Sequence, residues 1–385
     1  MKRAAVSLVF IVGCRFELPN APDASGDSGM DGELCTPWNT RGGHVRDVCT
    51  MAPPGDAWRI TTIGAVYDAE ADLYSDGPSP RSALIAQPGN RMVRVVSVRE
   101  LVVEENASLR VVGRYPLVVL SWSTIMVAGT IDVSSRAGLS PGAGGSREDC
   151  DVGDPGVGTS EAGGGGGGGL GDGGRPGGNG NQGAGVNMGG TPGGSTARPV
   201  ATVLGGCRGG DGGGDAGSGG RGGDGGGAVQ LTAKESISLT STGRVHAGGM
   251  GGAGANGNGG GGGGGSGGFI GLDAPLVTTA TNSVLAANGG AGGAGCESGT
   301  GPRGQDGPAM NLVALGGMGS MCANGADGGN GGKRGDAAQP GMNSAFSGGG
   351  GGGGGGYILI WTPSFPTGSP GLRTPPEVHI GSIEP

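Results

Sequence analysis

Short runs of alternating apolar and polar residues begin near Met92. Val93–Val95, Leu109–Val111 and Ile131–Val133 place aliphatic side chains at every second position, a period that predicts half-buried β-strands. Leu117–Leu120 is a continuous aliphatic run, which is typical of a strand buried on both faces. No helical period occurs beyond the N-terminal apolar run, so the pattern predicts an almost all-β chain.

An internal repeat organises the second half of the sequence. LTAKESISLTSTGRVHAGGMGGAG begins at Leu231 and LDAPLVTTATNSVLAANGGAGGAG begins 41 residues later, at Leu272. A degenerate copy begins at Leu117 and a truncated copy at Tyr357. Repeats of this kind indicate stacked units that bury a common core. The predicted inward column is Leu120, Leu231, Leu272 and Ile360, and Trp122 is placed in the neighbouring column of Ala233 and Ala274.

A shorter element recurs after 22 residues. Ser108–Val111 is similar to Thr130–Val133, and also to Arg244–Ala247 and Ser283–Ala286. Twenty-two residues are enough for about three short strands with their turns. The predicted fold is therefore a short β-solenoid, similar to a parallel β-helix and interrupted by long glycine-rich insertions. Its outward column holds Arg110, Asp132 and His246, and it ends at Leu285.

Glycine accounts for 101 of the 385 residues, against an average of about 7%. The glycine-rich insertions span roughly 137–227, 253–268 and 294–356. They either project as flexible loops or pack as extended polyglycine strands, which the missing Cβ allows; the sequence leaves both open. The strict G-X-Y period of collagen is missing.

Composition divides the chain into seven segments. They are a signal peptide (1–13), an acidic tether (14–33), a Cys-bracketed loop with the first β-strands (34–136), a glycine-rich insertion (137–227), two β repeats (228–291), a second large insertion (292–356) and a last strand with a tail (357–385).

The N-terminus has the features of an export signal. Lys2 and Arg3 precede the apolar run Ala4–Val12, which is too short to span a bilayer and fits a signal peptide. The residues Ile11-Val12-Gly13-Cys14 resemble a bacterial lipobox. The resemblance implies that Cys14 is cleaved to become the first residue and is acylated, and several acyl chains would anchor the protein stably.

Six cysteines remain after Cys14, and six cysteines permit 15 connectivities. Their positions favour three local disulfides, which are Cys35–Cys49, Cys150–Cys207 and Cys296–Cys322. A zinc site is a poor alternative, because no CxxC or Cys/His cluster occurs.

Charge and glycine motifs exclude several functions. The net charge of −8 becomes −10 when Lys2 and Arg3 leave with the signal peptide, and clustered basic residues for nucleic acid are missing. The many G-x-G-x-x-G matches follow from composition, so no cofactor is predicted. The aspartates of the tether and loops lack the spacing of calcium motifs, and no metal is predicted. These are Asp23, Asp27, Asp31, Asp211, Asp215, Asp224, Asp327 and Asp336.

Candidate catalytic and glycan-stacking residues are few. Arg110 and Asp132 are expected to form a cross-strand ion pair, and His246 has no evident nucleophilic partner. Of the scattered Trp38, Trp58, Trp122 and Trp361, the last is the best stacking candidate, with capping of the sheet edge as the simpler role. No catalytic residue is predicted.

The lipobox, the acidic linker and the glycine-interrupted strands ending in YILIWTPS together resemble predicted glycine-rich surface lipoproteins of myxobacteria. Mycobacterial PE-PGRS proteins share only the glycine bias. The resemblance carries no assigned biochemical role. The few aromatic and charged residues and the missing catalytic triad predict a non-enzymatic scaffold, structural or adhesive, anchored in the cell envelope. Arg15 follows Cys14 in place of the Asp that signals inner-membrane retention in enteric bacteria, which favours the outer membrane or cell surface over the inner membrane. The expected partners are membrane lipid at Cys14 and envelope polysaccharide or other surface proteins. The alternative is a β-solenoid that binds or cleaves polysaccharide.

Overall fold

The computed structural model describes residues 54–362, apart from 147–149, 151, 182–186, 196–201, 216, 323 and 334–335, together with 372–374 and 378–381. The predicted signal peptide, tether, Cys14 and Cys35–Cys49 pair lie outside the described residues. The part described is nearly all β, as predicted, with a single 3-10 turn at Gly319–Met321 and no α-helix.

The strands, in chain order, are β1 (Trp58–Ile60), β2 (Ala65–Asp68), β3 (Leu73–Tyr74), β4 (Ser82–Gln87), β5 (Arg91–Val98), β6 (Leu101–Val103), β7 (Ser108–Val112), β8 (Leu117–Ser121), β9 (Thr124–Val127), β10 (Thr130–Asp132), β11 (Ala228–Ala233), β12 (Ser236–Leu239), β13 (Arg244–His246), β14 (Phe269–Asp273), β15 (Leu276–Thr279), β16 (Val284–Ala286), β17 (Tyr357–Trp361), β18 (Leu372–Thr374) and β19 (Val378–Gly381).

These strands form three sheets, and successive strands along the chain belong to the three sheets in turn. The first sheet has the order β4-β5-β8-β11-β14-β17-β19, the second β1-β6-β9-β12-β15, and the third β3-β2-β7-β10-β13-β16-β18. Consecutive strands such as β8, β9 and β10 enter different sheets, and each pairs in parallel with its counterparts in the preceding and following triplets. The described antiparallel strand pairs are β4–β5 and β2–β3, at sheet edges.

Aliphatic side chains from the three sheets form the main core. Alternation places Ile125, Ile237 and Val277 of the second sheet in it, next to Leu231 and Leu272 of the first. The registers Leu231↔Leu272 and Leu272↔Ile360 are those predicted. The stacked side chains are mostly valine, isoleucine and leucine, which favour strands with one buried face. They are the apolar positions of the alternating pattern from which the strands were predicted.

The predicted register of β8 is wrong by one residue. Val119, not Leu120, pairs with Leu231, and Ser121, not Trp122, pairs with Ala233. A shift of one residue moves every side chain of a strand to the opposite face. Leu120 therefore belongs to a second apolar cluster on the other side of the first sheet.

A second predicted alignment, that of the outward column in the third sheet, is also wrong by one residue. Leu285 pairs with Val245 and faces the core, whereas His246 pairs with Ala286. The outward column thus ends at Ala286 rather than Leu285. The predicted alignment of Arg244–Ala247 with Ser283–Ala286 has an offset of 39 residues, whereas the strands pair with an offset of 40. The offset is 41 in the first sheet and 40 from Ser236↔Leu276 onward, because three residues separate Thr232 from Ser236 and two separate Asp273 from Leu276.

The glycine-rich segments are packed, which resolves the alternative that the sequence left open. Residues 163–169 are buried throughout, as are 261–268 and 348–356. They form no β-ladder, yet their backbone N–H groups donate to carbonyls of several neighbouring segments. These segments, between 153 and 356 and outside the strands, are called the glycine bundle below.

Hydrogen bonds in the bundle repeat every three residues. Gly163 and Gly166 donate to a segment at 154–157, Gly164 and Gly167 to a segment at 175–178, and Gly165 and Gly168 to a segment at 261–264. Three residues per turn without internal hydrogen bonds is the geometry of polyproline II helices. Each inner segment is consequently surrounded by others on every side.

Glycine is required by this packing. A Cβ on Gly165 would overlap the carbonyl oxygen of Gly210, and one on Gly263 would overlap that of Gly166. Buried polar backbone groups must find partners, and the bundle pairs them between segments. Its interior is therefore held by backbone hydrogen bonds, not by side chains.

Candidate functional site

A polar cluster lies on the outward side of the third sheet. Arg110 Nη1 donates to Asp132 Oδ2 at 3.1 Å, which confirms the predicted cross-strand pair, and Arg136 Nη2 forms an ion pair with the same oxygen at 3.0 Å. Ser134 Oγ donates to Asp132 Oδ1 at 2.6 Å. The side chain of Asp132 is 12% exposed, so the carboxylate is enclosed by its donors.

Burial raises the pKa of the Asp132 carboxyl, but the imidazole of His246, the Ser134 hydroxyl and the Arg136 guanidinium outweigh it. The pKa therefore lies well below its ordinary value. Hydrogen bonds and positive charge next to a carboxylate favour its charged form.

His246 holds the glycine bundle against this sheet. Its Nε2 lies 3.0 Å from the Gly307 carbonyl oxygen, and its Nδ1 lies 3.2 Å from Arg136 Nη2. Nε2 donates to this carbonyl, because a carbonyl can only accept, whereas Nδ1 also lies 3.6 Å from Asp132 Oδ1. Nε2 thus joins Gly307 of the bundle to the sheet, and no described serine or cysteine contacts the imidazole as a nucleophile would.

A cleft with a volume of about 560 Å³ lies elsewhere, at the end of the β4–β5 hairpin. This volume falls in the range of about 300–1,000 Å³ typical of ligand sites. Its lining residues are Gln87, Gly89, Asn90, Arg91, Met92, Arg114, Tyr115, Pro116, Gly144, Gly145, Ser146, Val203 and Leu204. We refer to it as the arginine cleft.

Three local features fix the walls of the arginine cleft. Gln87 Oε1 accepts from Val203 N at 2.7 Å, and its Nε2 donates to Val203 O at 3.4 Å, so the buried amide ties a glycine-bundle segment to the hairpin. Gly89 and Asn90 adopt φ of +79° and +57°, the left-handed backbone that a tight hairpin turn requires. A Cβ on Gly144 would meet Pro116 Cγ at 2.6 Å, so glycine lets the opposite wall approach.

The charge of the arginine cleft differs from that of the chain as a whole. Among the described residues, its lining includes the guanidinium groups of Arg91 and Arg114, whereas the protein carries a net charge of −8. Arg114 is exposed, and Arg91 and Tyr115 are half-buried. Asn90 adds an exposed amide, while Met92, Pro116 and Leu204 supply apolar surface.

The structure contains two of the predicted disulfides, Cys150–Cys207 and Cys296–Cys322. Cys296–Cys322 joins two segments of the glycine bundle, and Cys150–Cys207 joins the bundle to a residue just ahead of it. The separations along the chain are 57 and 26 residues, so both close long loops in the region that is richest in glycine.

Three other residues named in the sequence analysis are packed against or paired with protein side chains. Trp361 is 7% exposed and packs beside Phe269, with ring centroids 6.5 Å apart, so it is no open stacking platform. Asp211 pairs with Arg208 and Asp336 with Lys333, each at 2.6 Å. In the described residues, no three His, Cys, Asp or Glu side chains are placed to hold a metal ion.

Sequence reasoning missed the arginine cleft. Its walls come from four segments spread over more than a hundred residues, and only the Pro88-Gly89-Asn90 turn gives a local signal. No family model, curated protein or solved structure matches the chain. Across the described residues, no helix is long and apolar enough to cross a membrane.

Proposed function

We propose that this protein is a non-enzymatic surface lipoprotein, anchored through acylated Cys14, whose β-strands form a short solenoid and whose glycine bundle is a rigid adhesive scaffold. The N-terminal sequence Ile11-Val12-Gly13-Cys14 supports the anchor. The rotation of consecutive strands through three parallel sheets supports the solenoid, since a coil returns one strand to each face.

The observation that carries the adhesive proposal is an outer row of five glycine-bundle segments bonded side by side. Residues 314–317, 328–331, 339–342, 176–178 and 190–193 are linked in that order, for example by Gly331 N donating to Ala314 O. The row leaves one face of each segment outward.

Outward side chains in this row follow the three-residue period. Leu312, Leu315 and Met318 are exposed, whereas Ala314 and Gly317 between them are buried. Met342 continues the exposed apolar positions on another segment of the row, at 59% exposure, and Met188, two residues before the segment 190–193, is 62% exposed. Exposed apolar side chains at these repeated positions support an interaction surface made of several small contacts, and copies on one cell would add their contacts by avidity.

The polar cluster favours a structural role over catalysis. Asp132 is occupied by Arg110, Arg136 and Ser134, and both nitrogens of His246 have protein partners. A glycosidase needs two carboxyl groups that flank a bound sugar, and the cluster offers one carboxylate that is enclosed.

Acylation tests the anchor. In a Gram-negative host, the full-length chain should incorporate a fatty-acid analogue, and Cys14→Ser should not, since the thiol is the attachment point. Labelling of Cys14→Ser equal to wild type would disprove the anchor.

Adhesion tests the scaffold. Cells that display the protein should adhere to surfaces more strongly than cells without it, and Leu315→Asp with Met342→Asp should remove most of that gain by placing charge on the outer row. Ile63→Asp is the control, because Ile63 is 81% exposed and lies outside the bundle. Equal loss with Ile63→Asp, or glycan cleavage by the purified protein, would argue against this function.

A further inference from the structure

We propose that Lys333 and Asn311 become joined by an isopeptide bond, a covalent amide between their side chains, with Asp336 as the group that moves the proton. Lys333 Nζ donates to Asn311 Oδ1 at 3.3 Å and lies 2.6 Å from Asp336 Oδ2. An amine, a carboxamide and a carboxylate therefore meet at one nitrogen, and together they supply the nucleophile, the electrophile and the acid–base group that amide exchange requires. The bond would be a modification of the glycine bundle that depends on neither the anchor nor adhesion.

A buried dipeptide of the bundle holds the two reacting side chains opposite each other. Asn288 Nδ2 donates to Met310 O at 2.9 Å, and Gly289 N donates to Gly332 O at 2.9 Å. Met310 and Gly332 directly precede the two reacting residues, so one support positions both. Because Asn288 is fully buried, the amine and the amide are kept together before any reaction, which is the main requirement for a fast step within one molecule.

Asp336 is fixed to Lys333 through the backbone as well as through charge. Lys333 N donates to Asp336 O at 2.9 Å, and Asp336 N donates to Lys333 O at 3.0 Å. The lysine side chain is 15% exposed, against 57% for the aspartate. Lysine side chains are mostly exposed in folded proteins; this enclosure keeps the amine beside its two partners, while the carboxylate can exchange protons with water.

The reaction exchanges one C–N bond for another. Asp336 takes a proton from the Lys333 ammonium group, and the neutral amine attacks Asn311 Cγ. As the new C–N bond forms, the bond from Cγ to Asn311 Nδ2 breaks, and Asp336 gives its proton to the departing nitrogen. A second proton passes from the attacking nitrogen through Asp336 to the ammonia. One ammonium ion is thus released for the one ammonium group consumed, and Asp336 ends as a carboxylate.

The geometry allows both the attack and the departure. Asn311 Cγ is bonded directly to the oxygen that lies 3.3 Å from Lys333 Nζ, so a small rotation of the side chain brings it to the distance of about 3–3.5 Å from which attack occurs. A cavity of about 300 Å³, lined by Lys333 and Asp336 among others, gives the released ammonium ion a route to solvent.

The bond would close one end of the outer row. Asn311 precedes the segment 314–317 and Lys333 follows the segment 328–331, whereas Cys322, in its disulfide with Cys296, follows 314–317 at the other end. A covalent link between the two segments restrains the unfolded chain as a disulfide does, and an amide is not opened by thiols as a disulfide is.

Peptide mapping of the full-length protein tests the bond. Cleavage before Asp327 separates Asn311 from Lys333 along the chain, so the two peptides stay together only if their side chains are joined. We expect a joined pair whose mass is the sum of the two peptides less one ammonia molecule, after reduction of the disulfides and digestion with trypsin and a protease that cuts before aspartate.

Three variants distinguish the roles of the groups. Lys333→Arg should abolish the joined pair, because a guanidinium keeps the positive charge beside Asp336 but is no nucleophile. Asp336→Asn should slow its formation by about tenfold or more, since a positioned acid–base group contributes at least that much to such a step. Lys234→Arg is the matched control, at an exposed lysine of the strand region, and should give the joined pair in the wild-type yield.

Separate peptides of full mass from folded wild-type protein would overturn the bond and leave only an ion pair. A joined pair in Lys333→Arg would overturn the assignment to this lysine, and equal rates in wild type and Asp336→Asn would overturn the role of the carboxylate. Circular dichroism of each variant separates loss of the bond from loss of fold. Peptide mapping measures neither acylation nor adhesion, so its failure leaves the proposed function standing, and failure of that function leaves the bond standing.

Discussion

The interiors of the strand region, which consists of strands β1–β17, and of the glycine bundle are built from different parts of the chain. In the strand region, the core consists of stacked aliphatic side chains such as Leu231 and Leu272, and burial of apolar area provides the stabilisation. In the glycine bundle, the core consists of backbone, and segments lie so close that most inner glycines have no room for a Cβ. A protein poor in large side chains can thus still exclude water, provided that its backbone groups pair between segments.

This difference predicts opposite responses to side-chain size, and the largest effect concerns the bundle. Gly165→Ala should destabilise the protein by more than about 4 kcal/mol or prevent folding, because the overlapping atoms are backbone and cannot rotate away. Gly173→Ala is the matched control, since its Cβ would have its nearest neighbour, Gly193 O, at 3.6 Å. We expect its effect to stay within about 0.5 kcal/mol, and it could even stabilise by limiting the unfolded chain.

Urea unfolding followed by circular dichroism measures both variants. Equal midpoints for Gly165→Ala and Gly173→Ala would show that the bundle is looser than the backbone contacts require, and the contrast with the strand region would fail.

The reverse substitution tests the strand region. Leu231→Ala should cost about 3–4 kcal/mol, because it removes a buried side chain and leaves a cavity. Leu276→Ala is the control on β15, where the leucine is 43% exposed, and should cost less than about 1 kcal/mol. The same unfolding measurement decides; similar losses for the two leucines would contradict the assignment of a side-chain core here.

The contrast also explains which parts of the fold were predictable. The strands were visible because their residues alternate in polarity, and the Leu231–Leu272 register followed from the repeat. Leu120 was placed one residue out, because Leu117–Leu120 is apolar on both faces and gives no period with which to choose. The bundle has almost no side-chain pattern, so its three-residue hydrogen-bond period could not be read from glycine alone.

The same reasoning applies to the site. The Arg110–Asp132 pair was predictable, because both residues occupy one column of neighbouring strands. The arginine cleft was not, because Gln87, Arg114, Gly144 and Val203 meet only once the bundle has packed on the hairpin. The close approach of the cleft walls depends on Gly144. Its role could not be recognised in the sequence, because the chain contains 101 glycines.

Disulfide removal should affect the bundle more than the strands. Replacing both Cys150 and Cys207 with Ser should cost about 3 kcal/mol, because the unfolded chain loses a restraint. Replacing Cys296 and Cys322 should cost about 0.7 kcal/mol less, since loop entropy grows with the logarithm of a separation of 57 against 26 residues. Hydrogen exchange read by mass spectrometry should show faster exchange in 163–169 than in β11. Uniform acceleration across both regions would instead mean that they unfold as one unit.

The smallest expected effect concerns the polar cluster where the two regions meet. The pKa of Asp132 is lowered in the folded protein, so its contribution is complete above the unfolded value of about 3.9 and is lost as the pH falls through the folded value. Asp132→Asn should therefore lower the free energy of unfolding by about 2 kcal/mol at pH 7, the range of hydrogen bonds to a charged group, and the gap to wild type should narrow as the pH drops from about 4 toward 2. Asp215→Asn, at an exposed carboxylate in the bundle, is the control for a general change in charge and should leave the pH dependence of stability unchanged.

Urea midpoints measured from pH 7 to pH 2 test this prediction. A gap between the midpoints of Asp132→Asn and wild type that stays constant with pH would mean that Asp132 acts through its shape and hydrogen bonds rather than its charge. A gap that closes would show that the charge of Asp132, through Arg110 and Arg136, stabilises the sheet beside the hydrogen bond from His246 to the Gly307 carbonyl of the bundle.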